Sequence, residues 1–312
     1  MPLHPVLQQV CDAANAAAAD APPPSDEEQL AAVRTGAEKF GSLGAGPPES
    51  LFSVEDHLAD GPHGPVPVRA YRPTGDAGAP RVCSFHGGGF VSGSVEAWDG
   101  VCRRIAKESG AVVVSVDYRL APEHRFPVPL DDCHAAVTWA VAHAAALGAD
   151  GSRVAVAGDS AGGNLAAAVA LRSRVDGPAL AAQVLVYPVV SPACSSPSMV
   201  ENATGYLLTT DSMRAMWAWY LGPDGDEHDA FAAIDRAADY TGLPPALVIT
   251  AEYDPLRDEG EHYAALLDGF DVDVTVTRYD GMIHAFFGLR ELVTESDQAV
   301  AQVSTFLRTH LR

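Results

Sequence analysis

A serine set among small residues is the side chain of this 312-residue sequence best suited to covalent chemistry. It lies in Gly158-Asp159-Ser160-Ala161-Gly162, between an apolar stretch and a stretch of small residues. This G-x-S-x-G pattern predicts a strand, a sharp turn that exposes the hydroxyl of Ser160, and a helix. At the start of that helix the amide of Ala161 is free to donate to a developing anion. We therefore predict a serine nucleophile. A phosphate-binding loop would need a lysine that does not follow here.

A run of three glycines offers further groups that can bind an anion. His86-Gly87-Gly88-Gly89-Phe90 follows an apolar run that ends at position 85. Because glycines leave their backbone N–H groups uncovered, these amides can converge on an oxygen that becomes negative during acyl transfer.

A serine nucleophile needs a base to take its proton and an acid to orient that base. With the chain order serine, acid, histidine, the acid must lie beyond a strand that follows Ser160. Asp254 fits best, because it comes just after the apolar strand at 247–251. Glu252 lies too close to that strand, and Asp258 opens the next helix, where an acid usually interacts with the helix dipole.

His284 is the predicted base, because it lies between the last predicted strand and the final helix. The alternatives are less well placed. They are His228 in a strandless segment, His262 in the middle of a predicted helix, and His310 near the C-terminus.

Alternating strand and helix patterns predict the framework that brings these residues together. Two strands, at 51–58 and 66–71, are predicted on either side of a Gly/Pro turn, and apolar runs predict further strands at 81–85, 111–117, 153–157, 183–187, 246–251 and 272–278. Helical patterns lie near 96–109, 129–147, 161–174, 257–268 and 292–309. From residue 81 onward this alternation favours an α/β fold with a mostly parallel central sheet flanked by helices.

The motifs together resemble the bacterial hormone-sensitive-lipase-like carboxylesterases, which have the α/β-hydrolase fold. That family carries an H-G-G-G stretch upstream of a G-D-S-A-G-G-N turn. The resemblance extends, in family order, to Asp117-Tyr118-Arg119-Leu120-Ala121-Pro122-Glu123-His124, Asp254-Pro255-Leu256-Arg257-Asp258-Glu259 and Gly281-Met282-Ile283-His284. It covers roughly residues 66 to 308.

The resemblance implies a set of site residues without a cofactor or a metal. The amides of Gly87, Gly88 and Ala161 would form the oxyanion hole, and His86 would be structural. A helical cap would cover an apolar acyl or alcohol pocket, and the candidates to line that pocket are Phe90, Trp217, Phe286 and Phe287. The family often has glycine directly after the catalytic histidine, where this chain has Ala285.

We predict four segments along the chain. Residues 1–50 form N-terminal helices that are part of the cap, with Ser25 and Glu28 at capping-box spacing before a helix that runs to about residue 39. Residues 51–187 form the first part of the core. Residues 188–240, which lack a strand pattern, form a cap or lid insertion. Residues 241–312 complete the core.

Composition narrows the function classes. The chain has 20 basic and 41 acidic residues and a formal net charge of −21, which disfavours nucleic acid and membrane-surface partners. Its five cysteines form no C-x-x-C pair, so we expect buried thiols rather than a disulfide framework or a zinc site.

No signal peptide or membrane span is apparent, so the expected location is cytoplasmic. The sequence leaves a homodimer open.

The predicted function is a serine carboxylesterase that hydrolyses short- to medium-chain esters of small molecules. An acyltransferase or an amidase would share the acyl-enzyme, so the sequence leaves both open. A non-catalytic small-ligand receptor on this fold is disfavoured, because in such a receptor the catalytic histidine is replaced, whereas His284 is present here. A nucleotide-binding oxidoreductase is also disfavoured, because no G-x-G-x-x-G opens the first crossover.

Overall fold

An eight-stranded sheet forms the centre of the protein. The structure is a computed structural model that describes residues 1–19, 25–43 and 46–312. All eight strands are predicted by the sequence, and only their ends differ. In chain order they are β1 Ser53–Ala59, β2 Val66–Arg72, β3 Ala79–Phe85, β4 Val112–Val116, β5 Ala149–Asp159, β6 Ala182–Val186, β7 Ala246–Tyr253 and β8 Val274–Ile283.

The strand order is β1-β2-β4-β3-β5-β6-β7-β8. β2 pairs antiparallel with β1 and β4, and all the other neighbours are parallel. Every residue of β4 is buried, as expected for a strand covered by helices on both faces. The predicted α/β-hydrolase architecture with a mostly parallel sheet is confirmed.

Helices form a layer on each face of the sheet. In chain order the helices are α1 Pro5–Ala19, α2 Asp26–Leu43, α3 Asp99–Ser109, α4 Val128–Ala142, α5 Ala161–Asp176, α6 Pro197–Glu201, α7 Thr210–Leu221, α8 Arg257–Gly269 and α9 Thr294–His310. Helices α1, α3 and α9 pack into one apolar core. Helices α4, α5, α7 and α8 pack into the other. Alternate strand residues belong to alternate cores, as the two-residue period of a strand requires.

The chain enters α2 through the predicted capping box. The Ser25 N–H donates to Glu28 Oε2 at 2.9 Å, and the Glu28 N–H donates to Ser25 Oγ at 3.4 Å. The helix runs four residues further than expected, to Leu43. Residues 188–240, all of them described, contain α6 and α7 and no strand. The division of the chain into core and cap segments stays a prediction.

The expectations from composition can be compared with the folded chain. All five cysteines are free thiols and buried, which agrees with their predicted packing role. Among the described residues, no helix combines the length and the apolar character needed to cross a bilayer.

The central strand β4 and the edge strand β8 provide a matched pair of valines. Val114 is fully buried, whereas Val276 is 47% exposed. Val114→Ala is expected to lower the free energy of unfolding by about 2 kcal/mol, because it removes two buried methyl groups. Val276→Ala is expected to lower it by less than about 1 kcal/mol. Urea denaturation of both variants measures the difference, and equal losses would contradict the sheet order described above.

Candidate active site

Ser160 lies in the turn between β5 and α5, at the carboxyl edge of the sheet. Its backbone has φ 56° and ψ −121°, a positive φ that side chains other than glycine rarely adopt. The Ser160 N–H donates to the carbonyl of Val186 at 2.9 Å, and the Ser160 carbonyl accepts from the Val189 N–H at 3.1 Å. These bonds hold the strained turn, and the serine side chain lines a cavity above it.

The two glycines of the motif are required by close backbone contacts. A Cβ atom on Gly158 would overlap the carbonyl of Gly162, at the start of α5. A Cβ atom on Gly162 would overlap the carbonyl of Phe85, at the end of β3. Side chains at these positions would thus collide with the neighbouring helix and strand, so the turn requires glycine at both.

Three side chains that are distant in sequence form one chain of hydrogen bonds. His284 Nε2 lies 2.9 Å from Ser160 Oγ, and His284 Nδ1 lies 2.8 Å from Asp254 Oδ2. The other oxygen of Asp254 accepts from the Leu256 N–H at 2.8 Å. All three side chains are buried. With Nδ1–H donating to the carboxylate, Nε2 can accept the serine proton, so the arrangement can generate an alkoxide-like nucleophile.

The alternative acids are engaged elsewhere. Glu252 Oε1 pairs with the amino group of Met1 at 2.8 Å. Asp258 Oδ2 accepts from the Ser198 N–H at 2.8 Å. The structure therefore brings Asp254, and neither alternative, to the histidine.

The imidazole of His284 is held from one side by an aromatic ring. Tyr187, directly after β6, has its ring centroid 4.6 Å from that of His284. The residue directly after His284, Ala285, adopts φ 68°. This left-handed conformation accounts for the glycine that the family often has there, and the alanine accepts some strain. The alternative histidines, His228, His262 and His310, do not line the cavity.

The glycine loop differs from the expectation at one position. The Gly87 N–H donates to Asp159 Oδ1 at 3.1 Å, so it is not free to bind an anion, and Gly87 does not line the cavity. Gly88 and Gly89 do line it, beside Ser160. Among the described residues, nothing accepts from the N–H groups of Gly88, Gly89 or Ala161. The expectation for the Gly87 amide is thus wrong, whereas Gly89, which was not assigned to the oxyanion hole, lines the cavity with its N–H group free of a described acceptor.

His86 has the structural environment that the resemblance implies. Its Nδ1 lies 2.7 Å from the carbonyl of Gly87, and its ring stacks on Tyr118 with centroids 4.2 Å apart. Burial lowers the pKa of His86 to about 4, so the ring is neutral near pH 7. A neutral ring under the loop adds no charge to the cavity.

The sequence analysis did not identify Asp159, a buried carboxyl group next to the nucleophile. Asp159 Oδ1 accepts from the Trp98 indole N–H at 2.7 Å as well as from Gly87. Burial raises the pKa of Asp159 to about 6, because the apolar surroundings disfavour the charged form. Only its position next to Ser160 in the motif could have pointed to it. Asp159 joins the glycine loop, the start of α3 and the nucleophile turn.

The cavity above Ser160 has a volume of about 390 Å³. Helix α2 contributes Val33, Gly36 and Ala37 to its wall, and α7 contributes Met213 and Met216. Trp98, Val101 and Phe287 lie on a second wall. A mostly apolar wall around one hydrogen-bonded polar cluster is typical of a small-molecule site.

Only one of the four predicted aromatic pocket residues lines this cavity. Phe287 does so, whereas Phe90, Trp217 and Phe286 do not, and this part of the prediction was wrong. Phe90 stacks on Tyr220 with centroids 3.8 Å apart, and Trp217 packs against Phe90 at 5.4 Å. Phe286 is also fully buried. Phe90 and Trp217 pack in the core on one face of the sheet, and Phe286 packs in the core on the other.

Comparison with known proteins identifies the family. A family profile described as alpha/beta hydrolase fold matches residues 82–288. The chain belongs to this family. Among curated relatives of this α/β hydrolase, Esterase LipI of Mycobacterium tuberculosis is 40% identical over 293 residues, 92% of this chain and 90% of that protein. Ethyl acetate hydrolase of Pseudomonas putida is 37% identical over 252 residues, 79% of each chain.

Solved structures agree with the sequence relatives. A hyperthermophilic esterase from the archaeon Pyrobaculum calidifontis superposes on this α/β hydrolase with a TM-score of 0.90 and 41% identity, covering 99% of both chains. The predicted kinship with bacterial carboxylesterases is confirmed by these relatives.

The raised pKa of Asp159 makes stability depend on pH. The folded protein holds this proton more tightly than the unfolded chain, so the stability it contributes is lost as pH rises from about 4 to about 6. Asp159→Asn stays neutral and keeps an acceptor for Trp98 and Gly87. Relative to the unmodified protein, its free energy of unfolding should therefore rise by about 2 kcal/mol between pH 4 and pH 7.

Urea denaturation across this pH range measures the change. Asp224→Asn, on an exposed side chain, is the control for removing one negative charge. A constant difference between Asp159→Asn and the unmodified protein over the whole range would contradict the prediction.

Proposed function

We propose that the protein is a serine carboxylesterase in which Ser160 is the nucleophile, His284 the general base and acid, and Asp254 the orienting carboxylate. The observation that carries the proposal is the unbroken chain of hydrogen bonds from Ser160 Oγ to Asp254, at the floor of an apolar cavity. The esterase names of relatives that cover most of the chain support the same activity.

The first half-reaction forms an acyl-enzyme. Ser160 Oγ attacks the carbonyl carbon of the ester while its proton moves to His284 Nε2, and the carbonyl oxygen becomes an oxyanion. Asp254 accepts from Nδ1–H and stabilises the imidazolium. When the intermediate collapses, the bond from carbon to the alcohol oxygen breaks, and Nε2–H protonates that oxygen. The alcohol leaves, and the acyl group stays on Ser160.

The second half-reaction uses the same groups with water. His284 Nε2 takes a proton from a water molecule as its oxygen attacks the acyl carbon. The bond to Ser160 Oγ then breaks, and Nε2–H returns the proton to the serine. The products are the carboxylic acid and the regenerated enzyme, so the proton balance closes without another reactant.

Backbone amides would stabilise the oxyanion in both halves. Gly88, Gly89 and Ala161 have N–H groups without a protein acceptor in the described part of the chain, and all but Ala161 line the cavity with Ser160. Ala161 is the first residue of α5, so its amide also carries the positive end of the helix dipole. Donors fixed before the reaction stabilise charge without reorganisation.

The size and walls of the cavity support short- to medium-chain esters as substrates. About 390 Å³ lies at the small end of the range for ligand sites. One relative is named for the hydrolysis of ethyl acetate, a short-chain ester. An acyltransferase or amidase would pass through the same acyl-enzyme and differ only in the leaving group or in the acceptor.

Ser160→Ala tests the nucleophile. It should lower kcat for p-nitrophenyl butyrate at least about 10⁴-fold, because the acyl-enzyme cannot form. Ser173→Ala removes another buried hydroxyl from α5, outside the cavity, and should retain activity. Steady-state kinetics measures both. Undiminished hydrolysis by Ser160→Ala, with its fold intact by circular dichroism, would refute the assignment.

A chain-length series tests the substrate range. With p-nitrophenyl esters of 2 to 16 acyl carbons, kcat/KM should be greatest at about 4 to 8 carbons and fall beyond, because a longer chain exceeds the cavity. Product analysis with added alcohol or amine identifies any acyl transfer. Efficient cleavage of emulsified long-chain triglycerides is the result that would contradict the proposed range.

A further inference from the structure

The cavity above Ser160 has two walls that continue the two opposite cores of the protein. Val33 of α2 and Met213 and Met216 of α7 belong to the core on one face of the sheet. Trp98 and Phe287 belong to the core on the other face. Ser160 and His284 line the same cavity, so the two arms of an ester bound at Ser160 can each extend along a different wall.

The first wall contains a glycine that neither backbone nor packing requires. Val33, Gly36 and Ala37 lie at i, i+3 and i+4 on α2, so they share the helix face that lines the cavity. Glycine inside a helix is destabilising relative to alanine, and the φ of Gly36 is not positive. A Cβ atom at Gly36 would meet no atom of the described residues within 4 Å.

The position of this wall is fixed by one side chain of α2. The Arg34 guanidinium donates to the carbonyls of Val91 at 2.9 Å and Ala121 at 3.1 Å. It also forms a two-point ion pair with Glu123, at 2.9 and 2.6 Å. Such a forked set of bonds fixes orientation as well as distance. The helix face that carries Gly36 is therefore held in a defined position, with Gly36 itself exposed at the cavity wall.

The second wall contains a glycine with the same properties. Gly288 ends a 3-10 turn at Phe286–Gly288 and lines the cavity next to Phe287. Its φ is not positive, and a Cβ atom there would also meet no described atom within 4 Å. This turn begins two residues after His284, and both His284 and Gly288 line the cavity.

We infer that Gly36 and Gly288 are specificity-determining positions, which set how far the acyl arm and the alcohol arm of the substrate respectively can extend. The assignment of the arms rests on the proposed function. His284 Nε2 must protonate the departing alcohol oxygen, so the alcohol arm lies on the histidine side, towards Gly288. The acyl arm then extends along the opposite wall, over Gly36. At both positions the missing side chain leaves room for substrate.

Two substrate series separate the arms. One series varies the acyl chain of p-nitrophenyl esters from 2 to 10 carbons, and the other varies the alcohol of alkyl acetates from ethyl to octyl. Gly36→Leu should lower kcat/KM for the longest acyl chains at least tenfold relative to acetate and leave the profile of the alkyl acetates unchanged. Gly288→Leu should do the reverse. Gly36→Ala should shift the acyl profile in the same direction by a smaller factor.

The control is Gly269→Leu, at the end of α8. This glycine is exposed, lies outside the cavity, and would also place its Cβ in open space. It should leave both profiles unchanged. Three results would overturn the inference. The length profiles could stay unchanged in the Gly36 and Gly288 variants, kcat/KM could fall uniformly at all lengths, or both variants could affect the same series. An unmodified protein that hydrolyses neither series would instead overturn the proposed function.

Discussion

The positive φ of Ser160 is the constraint on which the site depends. The turn brings α5 so close to β5 and β3 that only glycine fits at positions 158 and 162. The carbonyl of Phe85 approaches Gly162, so the glycine loop that follows β3 begins beside the nucleophile. The same turn directs the N-terminus of α5 towards the cavity. The hydroxyl, the helix dipole and the loop amides are thus positioned by one backbone geometry, which the cores on both faces of the sheet stabilise.

Much of this arrangement could be predicted from the sequence. The central strands β3 to β7 could be predicted because buried parallel strands are continuous apolar runs, and such runs need no knowledge of the partner strand. Asp254 and His284 were found because each follows a strand, and the carboxyl ends of parallel strands meet at one edge of the sheet. Their convergence on Ser160 therefore follows from topology. The sequence prediction ends β8 five residues early, because the last residues of this strand mix polar and apolar types and do not form an apolar run.

Other features depend on packing between distant segments and could not be read from spacing. Nothing in the glycine run shows that Gly87 donates to Asp159, because that bond joins residues 72 positions apart. Phe90, at the end of the glycine run, and Trp217, in the strandless segment 188–240, were candidates through the resemblance to the family, yet they pack against each other in the core. The cavity is instead lined by other aromatic rings, among them Trp98 and Phe287, together with small and flexible side chains such as Gly36, Ala37 and Met216. Small residues at a cavity wall are hard to recognise from the sequence, because they contribute by leaving space empty and form no characteristic pattern.

The attachment of α2 has a consequence for how the molecule assembles. The partners of Arg34 are Val91, Ala121 and Glu123, which are 57, 87 and 89 residues further along the chain. Helix α2 leaves the ribosome before any of them, so it has no docking site until β3 and β4 have formed. Closing such long loops costs entropy that only an ordered sheet can offset. Helix α2 therefore completes its wall of the cavity late, after the segments that carry these three partners have been synthesised.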